Sequence, residues 1–243
     1  MIWVLFLWLG MAQATDEAYR LTWDLQVQNQ NVGRRILVIK DLEGRFKRRV
    51  MEVWTEVNAS MMGARFTYRQ RLTGHVIGGP ASFHSVIEQS GRPKEIQGRR
   101  AGAGWQVSIV DKGRARSWTL DADAVDLSTV DLFNPNARTH LTRLQHVRML
   151  SAETGDILEG DIRSMGPTRL HIAGRNVEVQ GYALESEDTK ATFYFNGDGL
   201  LVKYEMYLIG LSMTGTLSKP PPKGKDEFPV ALGTGRVEEF NLL

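Results

Sequence analysis

From Ala191 to Gly210 the chain reads ATFYFNGDGLLVKYEMYLIG, with apolar and polar positions alternating on the C-terminal side of a glycine-rich break. Val202, Tyr204, Met206 and Leu208 alternate with Lys203 and Glu205, the period of two expected of a strand with one buried face. Asn196-Gly197-Asp198-Gly199 supplies residues that tolerate positive φ, so the stretch predicts a tight β-hairpin. The first such pattern after the N-terminus sets Leu21, Trp23, Leu25 and Val27 against Thr22, Asp24, Gln26 and Gln28, and ends in Asn29-Gln30-Asn31 and Gly33. Further strands are predicted over 34–40, 46–57, 65–72, 82–89, 94–100, 105–110 and 115–120, punctuated by turn signals such as Gly78-Gly79-Pro80 and Asp111-Lys112-Gly113. The simplest connection of such segments is a meander of antiparallel sheet.

Between Asp121 and His146 the two-residue period gives way to three-to-four spacing with cap-like Asp and Ser residues. One or two short helices are expected there, broken at Asn134-Pro135 because the residue before a proline is pushed out of the helical region. Strands resume over 147–151, 157–164, 168–172, 176–184, 191–195, 200–209 and 211–217. Beyond Lys219 the chain reads KPPPKGKDEF, an extended proline-rich stretch, followed by a short apolar segment over 230–232. No repeat and no boundary divides the region, so 15–218 is read as a single domain and 219–243 as a C-terminal tail.

Composition changes this picture in three ways. At 42% hydrophobic and 24% charged residues, the 243-residue chain can bury a core. Its first residues, MIWVLFLWLGMAQA, join an apolar run too short to span a bilayer to an Ala-Gln-Ala motif, so 1–14 is read as a signal peptide cleaved after Ala14. Only the α-amine precedes the run as positive charge, which keeps an uncleaved N-terminal anchor open. The chain has no cysteine; this excludes disulfides, thiolate metal sites and cysteine catalysis, and a large exported domain without disulfides suits a bacterial periplasm. Charge is divided along the chain: 18 Lys and Arg against 10 Asp and Glu over 15–120, but 12 against 18 over 121–243. A basic surface for anionic groups and solvated strand faces of opposite sign both account for this.

Candidate chemistry is sparse. The five histidines, His75, His84, His140, His146 and His171, have no close metal-ligand spacing. Asp121, Asp123 and Asp126 imitate part of a calcium loop without its glycine and terminal glutamate. No nucleophile elbow, phosphate loop or dinucleotide fingerprint occurs, so a non-enzymatic protein without cofactor or metal is expected. The adjacent pairs Arg34-Arg35 and Arg99-Arg100 put side chains on opposite faces of a strand, so some of that charge turns inward or lies near an edge. Aromatic residues are not interleaved with these cations as in a nucleic-acid platform, so no nucleic-acid partner is expected.

The order DLFNP at Asp131 to Pro135, RMLSAETGDILEGDI at Arg148 to Ile162, a strand pair through Val177 to Glu185, and FYFNGDGLLVKYEMYLIG at Phe193 to Gly210 resembles a family of uncharacterised exported bacterial proteins. That family is similar in fold to the periplasmic lipoprotein carriers, and Phe133 stands where its pattern has tryptophan. The resemblance implies a mainly β fold: a strongly curved antiparallel sheet, half-barrel or barrel-like, with a short helical segment near its open side. It also implies an apolar concave face that shields acyl chains, for which the candidate ligand-binding residues are Trp23, Leu25, Trp54, Val202, Tyr204, Met206 and Leu208. The same apolar stripe equally describes a filled core. The expected function is thus a periplasmic binding or carrier protein for a lipid or other amphiphile. An outer-membrane β-barrel, or an envelope assembly partner using the basic half or the tail as its contact, is the alternative.

Overall fold

The computed structural model describes residues 18–42, 48–61, 64–76, 80–134, 137–186, 190–208 and 211–219. The expected signal peptide and all but the first residue of the tail lie outside the described residues. The first half of the chain forms β1 (Ala18–Val27), β2 (Gln30–Leu42), β3 (Arg48–Met61), β4 (Ala64–Val76), β5 (Pro80–Gln89), β6 (Arg92–Ala101), β7 (Gly104–Asp111) and β8 (Arg114–Leu120). A two-residue β9 (Leu127–Ser128) leads into a 3₁₀ turn (Thr129–Phe133) and the short helix α1 (Ala137–Leu141). The second half forms β10 (His146–Leu150), β11 (Ile157–Ile172), β12 (Arg175–Glu185), β13 (Lys190–Asn196), β14 (Leu201–Leu208) and β15 (Leu211–Leu217).

All of these strands belong to one 15-stranded sheet in the order β8-β7-β6-β5-β4-β3-β2-β1-β15-β14-β13-β12-β11-β10-β9. The two meanders are joined at the middle, where β1 pairs with β15 and Trp23 faces Leu217. Every pairing is antiparallel except that of β9 with β10. The sheet therefore ends at β8 and β9, which are neighbours in sequence, and it does not close.

Local chemistry explains the curvature. Lys112-Gly113, Ser90-Gly91 and Ala173-Gly174 all take positive φ at both positions, the tight turns whose twist matches that of the flanking strands. Register shifts at Leu25/Gln26, His75/Val76, Ser164/Gly166 and Tyr194/Phe195 add bulges, which bend a strand and increase its twist. The bulge at Gly166 also joins the segments 157–164 and 168–172, expected as separate strands, into the continuous β11. The hairpin between β13 and β14 forms as its turn residues predict: the Asn196 side-chain oxygen accepts the Leu200 N–H at 2.8 Å, and the two residues' backbones pair at 2.9 Å.

Alternation decides what lies inside. On β3, Met51, Val53, Thr55, Val57 and Ala59 are buried, while Glu52, Trp54, Glu56 and Asn58 between them are partly or fully exposed. Trp54 therefore faces away from the concave interior, a correction to its expected place there. The concave side is occupied by the stretch that departs from strand periodicity. Val130, Leu132, Phe133, Ala137 and Leu141 are all buried. The break falls where the Asn-Pro step requires it, with Asn134 in extended backbone at φ −81 and ψ 131. No helix among the described residues is long and apolar enough to cross a membrane.

Candidate functional site in the barrel interior

Four neighbouring strands each place a polar side chain on the concave wall. Arg35 of β2, Thr55 of β3, Gln70 of β4 and Ser85 of β5 are all buried. Arg35 lies opposite Thr55 and Thr55 opposite Gln70, so their side chains share a face. The Arg35 Nε donates to Thr55 Oγ1 at 2.9 Å, the Thr55 hydroxyl makes a long 3.4 Å contact to Gln70 Oε1, and Gln70 Nε2 donates to Ser85 Oγ at 3.0 Å. Arg34, the adjacent cation, is exposed; the pair splits across the sheet as strand geometry demands.

The helical segment sits on this row. The Arg35 guanidinium carbon is 5.5 Å from the Phe133 ring centroid and 5.4 Å from that of Tyr204, a cation held between two aromatic faces. Phe133 also meets Trp23 edge-on, with centroids 5.8 Å apart. Further along the turn, Val130 approaches β4 closely: a Cβ on Gly74 would lie 2.8 Å from Val130 Cγ1 and 3.2 Å from Met51 Cγ. A larger residue at position 74 has to displace the Val130 or Met51 side chain. Arg138 of α1 donates to the backbone oxygen of Asn196 at 3.2 Å and so fastens the helix to the β13–β14 hairpin.

Two carboxylates hold the segment from its own side. Glu153 accepts the Thr129 hydroxyl at 3.0 Å and the Ser151 hydroxyl at 3.3 Å, while Thr129 Oγ1 accepts the Ala152 N–H at 3.0 Å. Asp131 accepts both the backbone N–H and the hydroxyl of Ser128, at 2.6 and 3.0 Å. Burial nevertheless pushes the Asp131 carboxyl up to about 7, against those two hydrogen bonds and the field of Arg100. Burial likewise raises the phenols of Tyr68 and Tyr204, so both stay neutral and able to donate. Three buried polar atoms of this interior, Trp23 Nε1, Trp105 Nε1 and Tyr204 Oη, have no hydrogen-bond partner among the described residues.

The structure thus brings Trp23, Leu25, Val202 and Tyr204 together as buried interior residues. Val202 is the extra residue of a bulge, since Tyr194 pairs with Lys203 and Phe195 with Leu201. Met206 is half-buried and pairs with Met213; the side chain of Leu208 lies outside the described residues. Trp54 is on the other face. Residue types alone did not mark Thr55, Gln70, Ser85, Phe133 or Glu153, and of the pair Arg34-Arg35 they left open which one turns inward. A signal for three of them was present: Thr55, Gln70 and Ser85 each fall in phase with apolar neighbours two positions away, as in Val53-x-Thr55-x-Val57.

Among the described residues, no group of three or more His, Asp or Glu side chains could hold a metal ion. His146 instead contacts Asp161 Oδ1 at 2.8 Å and Glu159 Oε1 at 2.9 Å on the surface, and these bonds raise its pKa. Asp126 pairs with Arg148 at 3.2 Å.

A domain model described as Domain of unknown function (DUF6134) matches residues 23–213, from Trp23 on β1 to Met213 on β15. The chain belongs to this family. No curated protein matches it. A solved structure similar to this DUF6134 chain is the beta-barrel-like protein of domain of unknown function DUF1849 from Brucella abortus. It has a TM-score of 0.59 at 10% identity, covering 83% of this chain and 96% of that one. At that identity the likeness is one of fold.

Proposed function

We propose that this DUF6134 protein is an exported, non-enzymatic binding or carrier protein of the bacterial envelope that accepts a lipid or other amphiphile on its concave face. In this reading the 3₁₀ turn and α1 together are a displaceable plug. The observation that carries it is the row Arg35–Thr55–Gln70–Ser85 beneath that plug, together with the orphaned Trp23 Nε1 and Tyr204 Oη. An interior serving only as a core gains little from four buried polar side chains on four adjacent strands, because bonding them to one another does little more than offset the cost of their burial. With the plug displaced, Arg35 and its neighbours offer a polar end for an anionic headgroup and Trp23, Leu25 and Val202 an apolar wall. Export rests on the N-terminal sequence. The outer face supports a water-facing protein over an outer-membrane barrel: the large hydrophobic residues exposed among the described positions are Val110 and Met165, which make no lipid-facing belt.

The test uses the absence of native cysteine. Gly74→Cys with Val130→Cys introduces one thiol pair where the plug meets the wall. Native mass spectrometry after incubation with lysophosphatidylglycerol is expected to find lipid bound to the reduced protein and none on the oxidised, locked form. No uptake by either form, or equal uptake by both, overturns the proposal.

A further inference from the structure

Among the described residues, the end of the sheet at β8 is an edge without a second strand partner. β8 pairs with β7 alone, in the register Asp111↔Arg114, Ile109↔Arg116 and Val107↔Trp118. The two-residue turn Lys112-Gly113, with φ 52 and 74, makes Asp111 and Arg114 the hydrogen-bonded pair that closes the hairpin. Bonded and non-bonded pairs alternate along an antiparallel ladder, so Arg116 and Trp118 also exchange bonds with β7. Ala115, Ser117 and Thr119 therefore turn their N–H and C=O groups outward, and no backbone partner meets them among the described residues.

Beside this edge, Arg116 and Trp118 line a cavity of about 310 Å³ with Gly155, Asp156 and Ile157 of the facing turn. The Arg116 guanidinium lies 5.6 Å from the Trp118 ring centroid. On the β7–β8 hairpin itself Lys112, Arg114 and Arg116 outnumber Asp111, with Asp156 on the facing turn. A second copy pairing edge to edge would crowd Arg114 and Arg116 with the same cations, whereas an acidic strand is complementary to them.

We infer that the β8 edge is a strand-docking site for an extended segment of a partner protein that alternates acidic and apolar side chains. The segment adds a sixteenth strand through Ala115, Ser117 and Thr119, sets carboxylates against Arg114 and Arg116, which share one face of β8, and sets apolar side chains against Ala115 and Ser117 on the other. This inference is independent of the interior plug and of any lipid.

The test measures binding of a labelled, capped peptide of alternating valine and glutamate to the full chain by fluorescence anisotropy, with a valine–lysine peptide as control. The glutamate peptide is expected to bind and the lysine peptide not to. Ser117→Pro removes an outward N–H while leaving the β7 ladder intact, and is expected to weaken binding at least about tenfold. Arg116→Glu is expected to reverse the preference between the two peptides, a gain that misfolding cannot mimic. If Ser117→Pro does not fold, N-methylation of alternate peptide residues tests the same backbone pairing. No binding of the glutamate peptide, binding insensitive to both backbone blocks, or an unchanged preference in Arg116→Glu overturns the inference.

Discussion

Arg35 on β2 and Phe133 at the end of the 3₁₀ turn face each other across the barrel interior, with 5.5 Å between the guanidinium carbon and the ring centroid. The contact joins the only buried cation of the described wall to the segment that fills the concave side. Because Arg35 is paired in register with Trp23, and Trp23 packs edge-on against the same ring, one aromatic side chain fastens the plug to two adjacent strands. Plug and polar row are therefore one unit.

Phe133→Ala removes both contacts and leaves a hole beside Trp23. Chemical denaturation is expected to show a loss of about 3–5 kcal/mol, the usual cost of truncating a buried phenylalanine. A loss below about 1 kcal/mol would mean that the segment is only loosely seated.

Arg35→Met separates stability from recognition. An apolar side chain of similar length keeps the packing and removes the cost of burying the charge along with its bond to Thr55, and Thr55 retains its contact with Gln70. Denaturation midpoints are expected to hold or rise. The preference for an anionic over a zwitterionic lysophospholipid is expected to fall on the order of tenfold, the scale of one charge-assisted hydrogen bond. A variant that loses stability and keeps that preference would assign Arg35 to architecture.

How much of this was legible beforehand depends on whether the information is local. The strands were readable from their period, and the plug from the loss of that period after Leu120 together with the Asn134-Pro135 step. The break expected between 164 and 168 is a bulge at Met165-Gly166, and only the partner strand β12 distinguishes a bulge from a break. Trp54 was misplaced because its aromatic character suggested the interior, whereas the phase of Val53 and Val57 puts it outside. That one of Arg34 and Arg35 turns inward followed from adjacency; which one depends on the register of β2 with Trp23, and register is not written in either strand alone. The pairing of β1 with β15, which leaves β8 and β9 as the free edges, joins the two ends of the domain and has no local signature.

Tyr204 offers a converse test, because its ring is packed and its hydroxyl is not satisfied. The ring lies over Gly215, where a Cβ would come within 2.3 Å of Tyr204 Cζ. Gly215→Ala must displace the ring and is expected to cost about 1–3 kcal/mol. Tyr204→Phe keeps the ring and removes only the unpartnered hydroxyl, so thermal unfolding is expected to show no loss and up to about 1 kcal/mol gain. A clear destabilisation by Tyr204→Phe would show that the hydroxyl has a structural partner in solution.

Asp131 makes stability depend on pH in a direction opposite to that of an ordinary surface carboxylate. In the folded chain burial lifts its pKa to about 7, from 3.8 when unfolded. Between those values the folded state holds a proton that the unfolded state has released. Stability is therefore greatest below about pH 4, declines as pH rises toward about 7, and is flat in this respect above it. A shift of this size corresponds to roughly 4 kcal/mol. Asp131→Asn still offers an oxygen to the Ser128 N–H and hydroxyl but cannot ionise. Urea titrations across pH 4 to 8 are expected to show the decline in the native protein and its absence in Asp131→Asn, with the variant the more stable of the two at pH 8. Parallel pH profiles would remove Asp131 as the titrating group, and the seating of the 3₁₀ turn would then have to rest on its apolar contacts alone.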